Sequence, residues 1–440
     1  MKLFLSAGLS ALLLGAAAAA QAQLRLPSLP SLPSLPSLPS PSQATQPLRR
    51  EVAPVLDIAR QRQQRIAEML RQRSELIEAD PNGEPMVRSE LIVTSPSPAL
   101  LAAARADGFA VVRERRLDEL EMVVVTLHAP RGWSTTRALQ RLRELDPQAS
   151  VDFNHLYLES GETAAARSAS VPAPAPLPPR ASANAAFKIG LIDAGVETEH
   201  PLLRHAGVHA WGCGSTKIPS AHGTAVASLL VGRGEHFRSA APNATLYAAD
   251  VYCNDPIGGS IEAVAAALAW LLGEHVTVVN ISLVGPANRT LEQVVRRASA
   301  RGLLLVAAVG NDGPAAPPLY PAAYAEVVAV TGVDARGVVL PEACRGPHVA
   351  FAAPGSDMAV ATIGTSPYTT ARGTSFAAPL VAGLLAASLR QPPADSAHAA
   401  IEALARTAID LGSPGRDVVY GHGLVARDLR TDPTLMAAGR

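Results

Sequence analysis

Serine, histidine and aspartate are the side chains from which an enzyme can assemble a nucleophile, a general base and an acid that orients the base. This chain of 440 residues carries one of each where an apolar run meets a turn. Asp193 closes the run KIGLID just before Ala194-Gly195. His222 opens the short apolar segment AHGTAVASLLVG. Ser375 opens GTSFAAPLVAGLLAASL, with Pro379 close to the first helical turn, where a missing N–H costs least. A second Gly-Thr-Ser upstream offers Ser366, but Pro367, Tyr368, Thr369 and Thr370 follow it, and that run suits a strand or hairpin. Ser375 is therefore the better nucleophile. Taken singly, each residue also has a plainer role: Asp before Gly turns a chain, His-Gly sits in caps and loops, and Ser at a helix start is an N-cap. Asn311, at the end of LLLVAAVG, also reads as a turn residue before Gly313, and Asn280 lies inside VVNISL and reads as structural.

The elements that must position these residues follow from apolar patterning. From Phe187 onward, KIGLID, LYAADVYC, VTVVNISL, LLLVAAVG and EVVAVTGV read as strands, with helices at 261–272 and 291–300 between them. Continuous apolar strands separated by helices predict an α/β fold, a doubly wound, mostly parallel sheet covered on both faces. Sites in such sheets gather at the carboxyl ends of the strands, which is where Asp193 stands.

Upstream, ELIVTS, PALLAAARADG, FAVVRERRL, LEMVVVTLH, TTRALQRLREL and ASVDFNHLYL read as β-α-β-β-α-β, a small α+β ferredoxin-like module over 86–158. By itself that module carries no function. A Pro/Ala/Ser-rich linker follows at 159–185, and the doubly wound domain occupies 186–430. Before the module, residues 51–85 hold an amphipathic helix, with Val55, Ile58, Ile66, Met69, Leu70, Leu76 and Ile77 near one face. Residues 23–50 repeat Leu-Pro-Ser with the period of polyproline II and form a stiff spacer. Residues 1–22 combine one Lys, a short apolar run and Ala20-Gln21-Ala22, the pattern of a secretory signal peptide, so a secreted or periplasmic location is expected.

Composition narrows the partners. Thirty-eight basic residues balance thirty-eight acidic ones and no basic run stands alone, so no nucleic acid is expected. The apolar runs fall short of the ~20 residues that span a bilayer, so no stable membrane anchor is expected. The three cysteines, Cys213, Cys253 and Cys344, lack zinc-ligand spacing, and one pair plus one leftover is the simplest arrangement. No metal or cofactor is expected.

Asp193-Ala-Gly-Val, His222-Gly-Thr-Ala-Val-Ala, Val309-Gly-Asn311-Asp-Gly and Gly373-Thr-Ser375-Phe-Ala-Ala-Pro, with Tyr420-Gly-His-Gly-Leu-Val beyond them, resemble the signature blocks of the subtilisin-like serine proteases. Their order, Asp then His then Ser, agrees as well. The resemblance runs from about 187 to 430 and implies a serine endopeptidase acting on proteins or peptides. Ser375 would attack, His222 would carry the proton, Asp193 would orient the imidazole, and Asn311 would donate to the oxyanion. It also implies that Gly258-Gly259 and Ser282-Leu283-Val284 are the edges between which a substrate lies extended. Val284 stands where the family often carries glycine, and Ala194 where it usually carries Ser or Thr. The segment after Arg233 is too short for the calcium loop of many relatives, so no calcium site is expected there.

By the same resemblance the ferredoxin-like module is a propeptide that chaperones the protease and blocks its cleft with a C-terminal segment around 155–159. Cleavage is expected between Tyr157 and Ala186, by Ser375 itself, and the mature protein is expected to be a monomer. A Cys213–Cys253 disulfide with Cys344 free is expected, although spacing alone does not determine connectivity. Two rival functions stand beside this one. A catalytically silent relative that binds peptides would be favoured by loss of Asp193, His222, Asn311 or Ser375, and all are present. An α/β-hydrolase esterase needs Gly-x-Ser-x-Gly and the order Ser, Asp, His, whereas here the serine comes last.

Overall fold

A computed structural model describes residues 62–164, 187–364, 367–389 and 394–437. The expected signal peptide and spacer, the start of the expected amphipathic segment, most of the expected linker and Ser366 lie outside the described residues. Among the described residues no helix is long and apolar enough to cross a membrane.

The first described element is helix α1, residues 62–72. It ends earlier than the amphipathic helix expected within 51–85: Leu76 and Ile77 leave it, and Ile77 opens strand β1 (Ile77–Ala79), buried against Val87. Pairing of Ile77 with Val87 across a β ladder replaces a further helical turn.

The module then runs β2 (Pro85–Thr94), α2 (Pro98–Ala106), β3 (Ala110–Leu117), β4 (Met122–His128), α3 (Thr135–Leu145) and β5 (Ser150–His155). Both helices start at serine caps, Ser97 and Ser134, whose hydroxyls accept the N–H groups of Leu100 and Arg137. The sheet is antiparallel in the order β3-β4-β2-β5, and β1 pairs with the first residues of β2. Period-two alternation sorts the side chains of this sheet. Leu91 and Val93 of β2 and Val125 and Leu127 of β4 pack under α2 and α3. Ile92, Met122 and Val124, pointing the other way, join a core of the following domain. The unbroken apolar reading of β4 thus reflects a sheet buried on both faces.

The larger domain is built on a seven-stranded parallel sheet in the order β15-β14-β13-β11-β8-β10-β9. Its strands are β8 (Phe187–Asp193), β9 (His209–Trp211), β10 (Ala244–Asp250), β11 (Val278–Ile281), β13 (Leu304–Ala308), β14 (Val327–Val333) and β15 (Val349–Pro354). Helices α4 (Ala221–Val231) and α7 (Ala378–Ser388) cover one face, and α5 (Ile261–Gly273) and α6 (Arg289–Ala300) cover the other. Within β13, Leu304, Val306 and Ala308 enter the first core and Leu305 and Ala307 the second. Strands of this type read as continuous apolar runs because neither face meets water.

Five short strands depart from the expected plan. β12 (Leu283–Val284) pairs with β6 (Leu158–Glu159), and a hairpin of β16 (Ser356–Ala361) and β17 (Tyr368–Arg372) pairs with β7 (Glu162–Ala164). Residues 158–159 and 162–164 therefore belong to strands held on the larger domain, and the expected linker at 159–185 starts too early. Paired backbone, rather than the Pro-rich composition downstream, governs this stretch.

The module docks on α5 and α6. Glu262, in the first turn of α5, accepts both Arg113 Nε (2.8 Å) and Thr126 Oγ1 (2.8 Å) from the module. Asn288 caps α6 with its Oδ1 on the N–H groups of Thr290 and Leu291, which leaves Nδ2 to donate to the Phe153 carbonyl and to His155 Nδ1, both at 3.0 Å.

Candidate active site

Asp193 is the last residue of β8, and His222 is in the first turn of α4. Ser220 caps that helix, its hydroxyl accepting the His222 N–H at 3.2 Å. The His-Gly pair has a steric reason: a Cβ at Gly223 would lie 2.2 Å from the Ala194 carbonyl oxygen, so only glycine lets α4 approach the turn after β8. The approach brings His222 Nδ1 to the Asp193 carboxylate, 2.9 Å from Oδ1 and 3.1 Å from Oδ2. The Ala194 N–H donates to the same carboxylate at 2.7 Å, so the backbone supplies one of the bonds that holds it.

Both side chains are buried. Burial opposes charge on the imidazole, but Asp193, by its charge and hydrogen bond, and Glu159, by its charge, outweigh it, and the His222 pKa is pushed up to about 9. His222 Nε2 is buried and has no hydrogen-bond partner.

Ser375 sits in a single 3-10 turn, Thr374–Phe376, between β17 and α7. It is not an N-cap. Its Oγ donates to the Ser282 carbonyl at 3.2 Å, and its N–H donates to the Ser160 carbonyl, also at 3.2 Å. The ring of neighbouring Phe376 lies 5.4 Å from the His222 ring, which brings the serine turn against the start of α4. Asn311 Oδ1 accepts the Thr374 N–H at 3.0 Å, which orients the amide so that Nδ2 donates to Ser160 Oγ at 2.8 Å. Asn280 Nδ2 donates to Ser282 Oγ (2.8 Å), and that hydroxyl donates to the Ser375 carbonyl (3.0 Å). Asn280, read from sequence as structural, thus supports the serine turn through Ser282.

A strand from the module's end fills the cleft beside these groups. Glu159 pairs with Leu283 and Leu158 with Val284, antiparallel. The Ser160 N–H faces the Ser282 carbonyl at 3.4 Å, the Tyr157 N–H donates to the Gly259 carbonyl at 2.8 Å, and Leu156 bridges to Ser260. Both edges singled out in the sequence therefore flank one extended segment. Gly258 is the exception, its N–H turned to the Asp255 carbonyl at 2.9 Å. Tyr157 is fully buried, its ring where a Cβ on Gly285 would lie 2.8 Å away and its hydroxyl donating to the Pro286 carbonyl. Beyond Gly161, β7 continues along β17, so the chain enters the cleft on one side of Ser375 and leaves on the other.

Glu159 brings a third charge: its carboxylate, that of Asp193 and a His222 ring nitrogen lie within 4.8 Å of one another. Burial raises the Glu159 pKa while His222 pulls it down. The sequence reading stopped the blocking segment at Glu159 and missed Ser160 and Gly161; a small residue and a glycine at the end of a strand are too common to stand out.

Cys213 and Cys253 form a disulfide, 40 residues apart, joining the segment before α4 to the end of β10. Cys344 is free and buried, its thiol pKa pushed up to about 12 by burial.

With this geometry in hand, comparison with known proteins gives consistent matches. Residues 184–423 match the family described as the subtilase family, peptidase S8. The chain is 33% identical to subtilisin DY of Bacillus licheniformis, covering 54% of this chain and 88% of that one. It is 34% identical to an alkaline protease of Alkalihalobacillus alcalophilus, covering 66% and 75%. It is 32% identical to the minor extracellular protease Epr of Bacillus subtilis (strain 168), covering 57% of this chain but only 39% of that longer protein. Among solved structures, fervidolysin from Fervidobacterium pennivorans shares the fold, with a TM-score of 0.65 at 20% identity over 80% of this chain and 62% of the other.

Proposed function

Because this chain belongs to the subtilase family, we propose that it is an exported serine endopeptidase, made as a zymogen, whose first substrate is its own Ser160–Gly161 bond. One observation carries this reading: residues 157–161 run extended through the cleft, paired on both edges, with the Ser160 carbonyl on the Ser375 N–H. A peptide held this way has paid most of its orientational cost before reaction.

In the proposed reaction, Ser375 Oγ leaves the Ser282 carbonyl, gives its proton to His222 Nε2 and bonds to the carbonyl carbon of Ser160. Asp193 keeps its bond to Nδ1–H and faces the imidazolium. Negative charge on the former carbonyl oxygen falls at the Ser375 N–H, and Asn311 Nδ2, resting on Ser160 Oγ, is the second donor within reach. The C–N bond then breaks and His222 returns the proton to the Gly161 nitrogen. Water, deprotonated by the same histidine, hydrolyses the acyl-enzyme, leaving a carboxylate on Ser160 and an amine on Gly161.

The cut module stays bound as an inhibitor, because β6 keeps its ladder to β12 and the module sheet keeps its face on α5 and α6. Its fold pre-organises the blocking strand and reduces the entropy lost on binding. Export is supported by Ala20-Gln21-Ala22 and by the extracellular protease among the relatives. Once the cleft is free, extended segments of other proteins or peptides take the path of residues 157–161, and the mature enzyme acts as a monomer.

Expression of the full chain in parallel with Ser375→Ala tests this reading. Mass spectrometry should find a new N-terminus at Gly161 in the wild type and an intact chain in the variant. A Ser375→Ala chain cut at the same bond in a host lacking other proteases would overturn self-processing. A wild-type chain that neither cuts itself nor digests a denatured protein would favour the silent peptide-binding alternative.

A further inference from the structure

We propose that helix α1 is a second inhibitory element, a clasp that closes over the blocking strand by docking on the loop 252–259 and on Asp312, with Arg62 as the residue that shuts it. This rests on the zymogen reading above and adds an element that lies outside the βαββαβ module.

The helix touches both domains. Met69 and Leu70 pack with Ile77, Val87 and Leu156 of the module and with Ile257 of the protease. At its end, Arg73 Nη1 donates to the Pro256 carbonyl at 2.9 Å. At its start, the buried Arg62 serves two partners at once. Its two terminal nitrogens bind Glu84 at 3.0 and 2.7 Å, and its Nε faces Asp312 Oδ2 at 3.2 Å. Glu84 belongs to the turn before β2, whereas Asp312 follows Asn311 directly. One guanidinium therefore ties the helix to the module on one side and to the turn carrying the oxyanion donor on the other.

Charge and shape agree on the occupant. Asp312 is partly buried, its side chain 15% exposed, and among the described residues its ion-pair partner is Arg62. A buried carboxylate without such a partner is costly, so this surface favours a basic segment. Arg65 adds a second positive charge acting on both Asp312 and Glu159. Between helix and cleft lies a space of about 670 Å³ lined by Arg65, Met69 and Arg73 on one side and by Leu158, Glu159 and Tyr252 among others. The helix thus stands across this space from the strand that blocks the site and packs on Leu156 just before it, and the strand leaves more slowly while the clasp is shut.

The test uses the full chain carrying Ser375→Ala, which stays in one piece, with and without Arg62→Ala and Arg73→Ala together. Hydrogen–deuterium exchange should be about tenfold faster or more at 252–259 and 308–314 when the arginines are removed, with β2 and β4 unchanged. Equal protection at 252–259 in both chains would overturn the clasp. Loss of protection throughout β2 and β4 would also overturn it, since the helix would then be a structural part of the module. In the active chain, the interval between the cut at Ser160–Gly161 and the appearance of activity on a peptide substrate should shorten by about tenfold, and an unchanged interval would count against the clasp. A chain that never cuts itself would refute the zymogen reading, while exchange in the Ser375→Ala background still reads the clasp.

Discussion

At the residue scale, the proposed zymogen would hold its proposed base, His222, protonated near neutral pH. His222 accepts the Ser375 proton only as the neutral imidazole, and its pKa is pushed up to about 9 by Asp193 and Glu159 against the effect of burial. Below that value most molecules carry the imidazolium, so self-cleavage should quicken about tenfold per pH unit between roughly pH 7 and 9 and level off above. The sign for stability is opposite. A histidine with a raised pKa stabilises the fold fully below its unfolded value of about 6.5, and that contribution is lost as pH rises through about 9. Glu159→Gln removes one of the charges that raise His222, so its plateau should begin at lower pH. Cleavage rates read from gels across this range check both points; a flat profile in the wild type would contradict them.

At the element scale, the segment that carries His222 is anchored twice, by the Ser220 cap of α4 and by the Cys213–Cys253 disulfide. Closing a loop of 40 residues removes about 4 kcal/mol of chain entropy from the unfolded state on the loop-closure account. The double variant Cys213→Ser with Cys253→Ser should therefore lose about 3–4 kcal/mol of stability, measured by denaturant unfolding of the Ser375→Ala chain. A loss below about 1 kcal/mol would mean that the unfolded chain is already constrained there. Asn280 and Ser282 form a comparable support for the serine turn, through a side-chain relay that ends on the Ser375 carbonyl.

At the scale of the whole molecule, the two folded parts share one core. Ile92, Met122 and Val124 of the module sit with Val264, Leu268 and Leu291 of the protease, and Glu262 anchors the contact through Arg113 and Thr126. Glu262→Ala leaves the buried Thr126 hydroxyl without this acceptor, while Arg113, its side chain 43% exposed, keeps Glu90. Leaving that hydroxyl unsatisfied costs about 1 kcal/mol and the screened ion pair adds little, so the cut module should be held about fivefold more weakly. Inhibition of the mature variant by its own released module, followed with a peptide substrate, measures this. Equal inhibition of both forms would show that apolar contact alone holds the module.

The sequence alone identified the protease half through blocks whose residue types answer local demands. A proline near the start of α7 and a continuous apolar run in β13 act within a few positions along the chain, whereas the glycine after His222 answers a contact with Ala194. The βαββαβ order was legible for the same reason, since period two and period 3.6 are local signals. Helix α1 was overextended because Leu76 and Ile77 continue its apolar face, and the choice of a strand was made by Val87, a partner that periodicity cannot name. What only the tertiary structure decided are the meetings of distant residues. Asn311 reaches Ser160 across 151 positions, and Arg62 joins Glu84 to Asp312. Ser160 and Gly161 have no chemistry of their own to mark them. They stand at the site because β6 finds an edge to pair with in β12, and backbone pairing of that kind is blind to side-chain type.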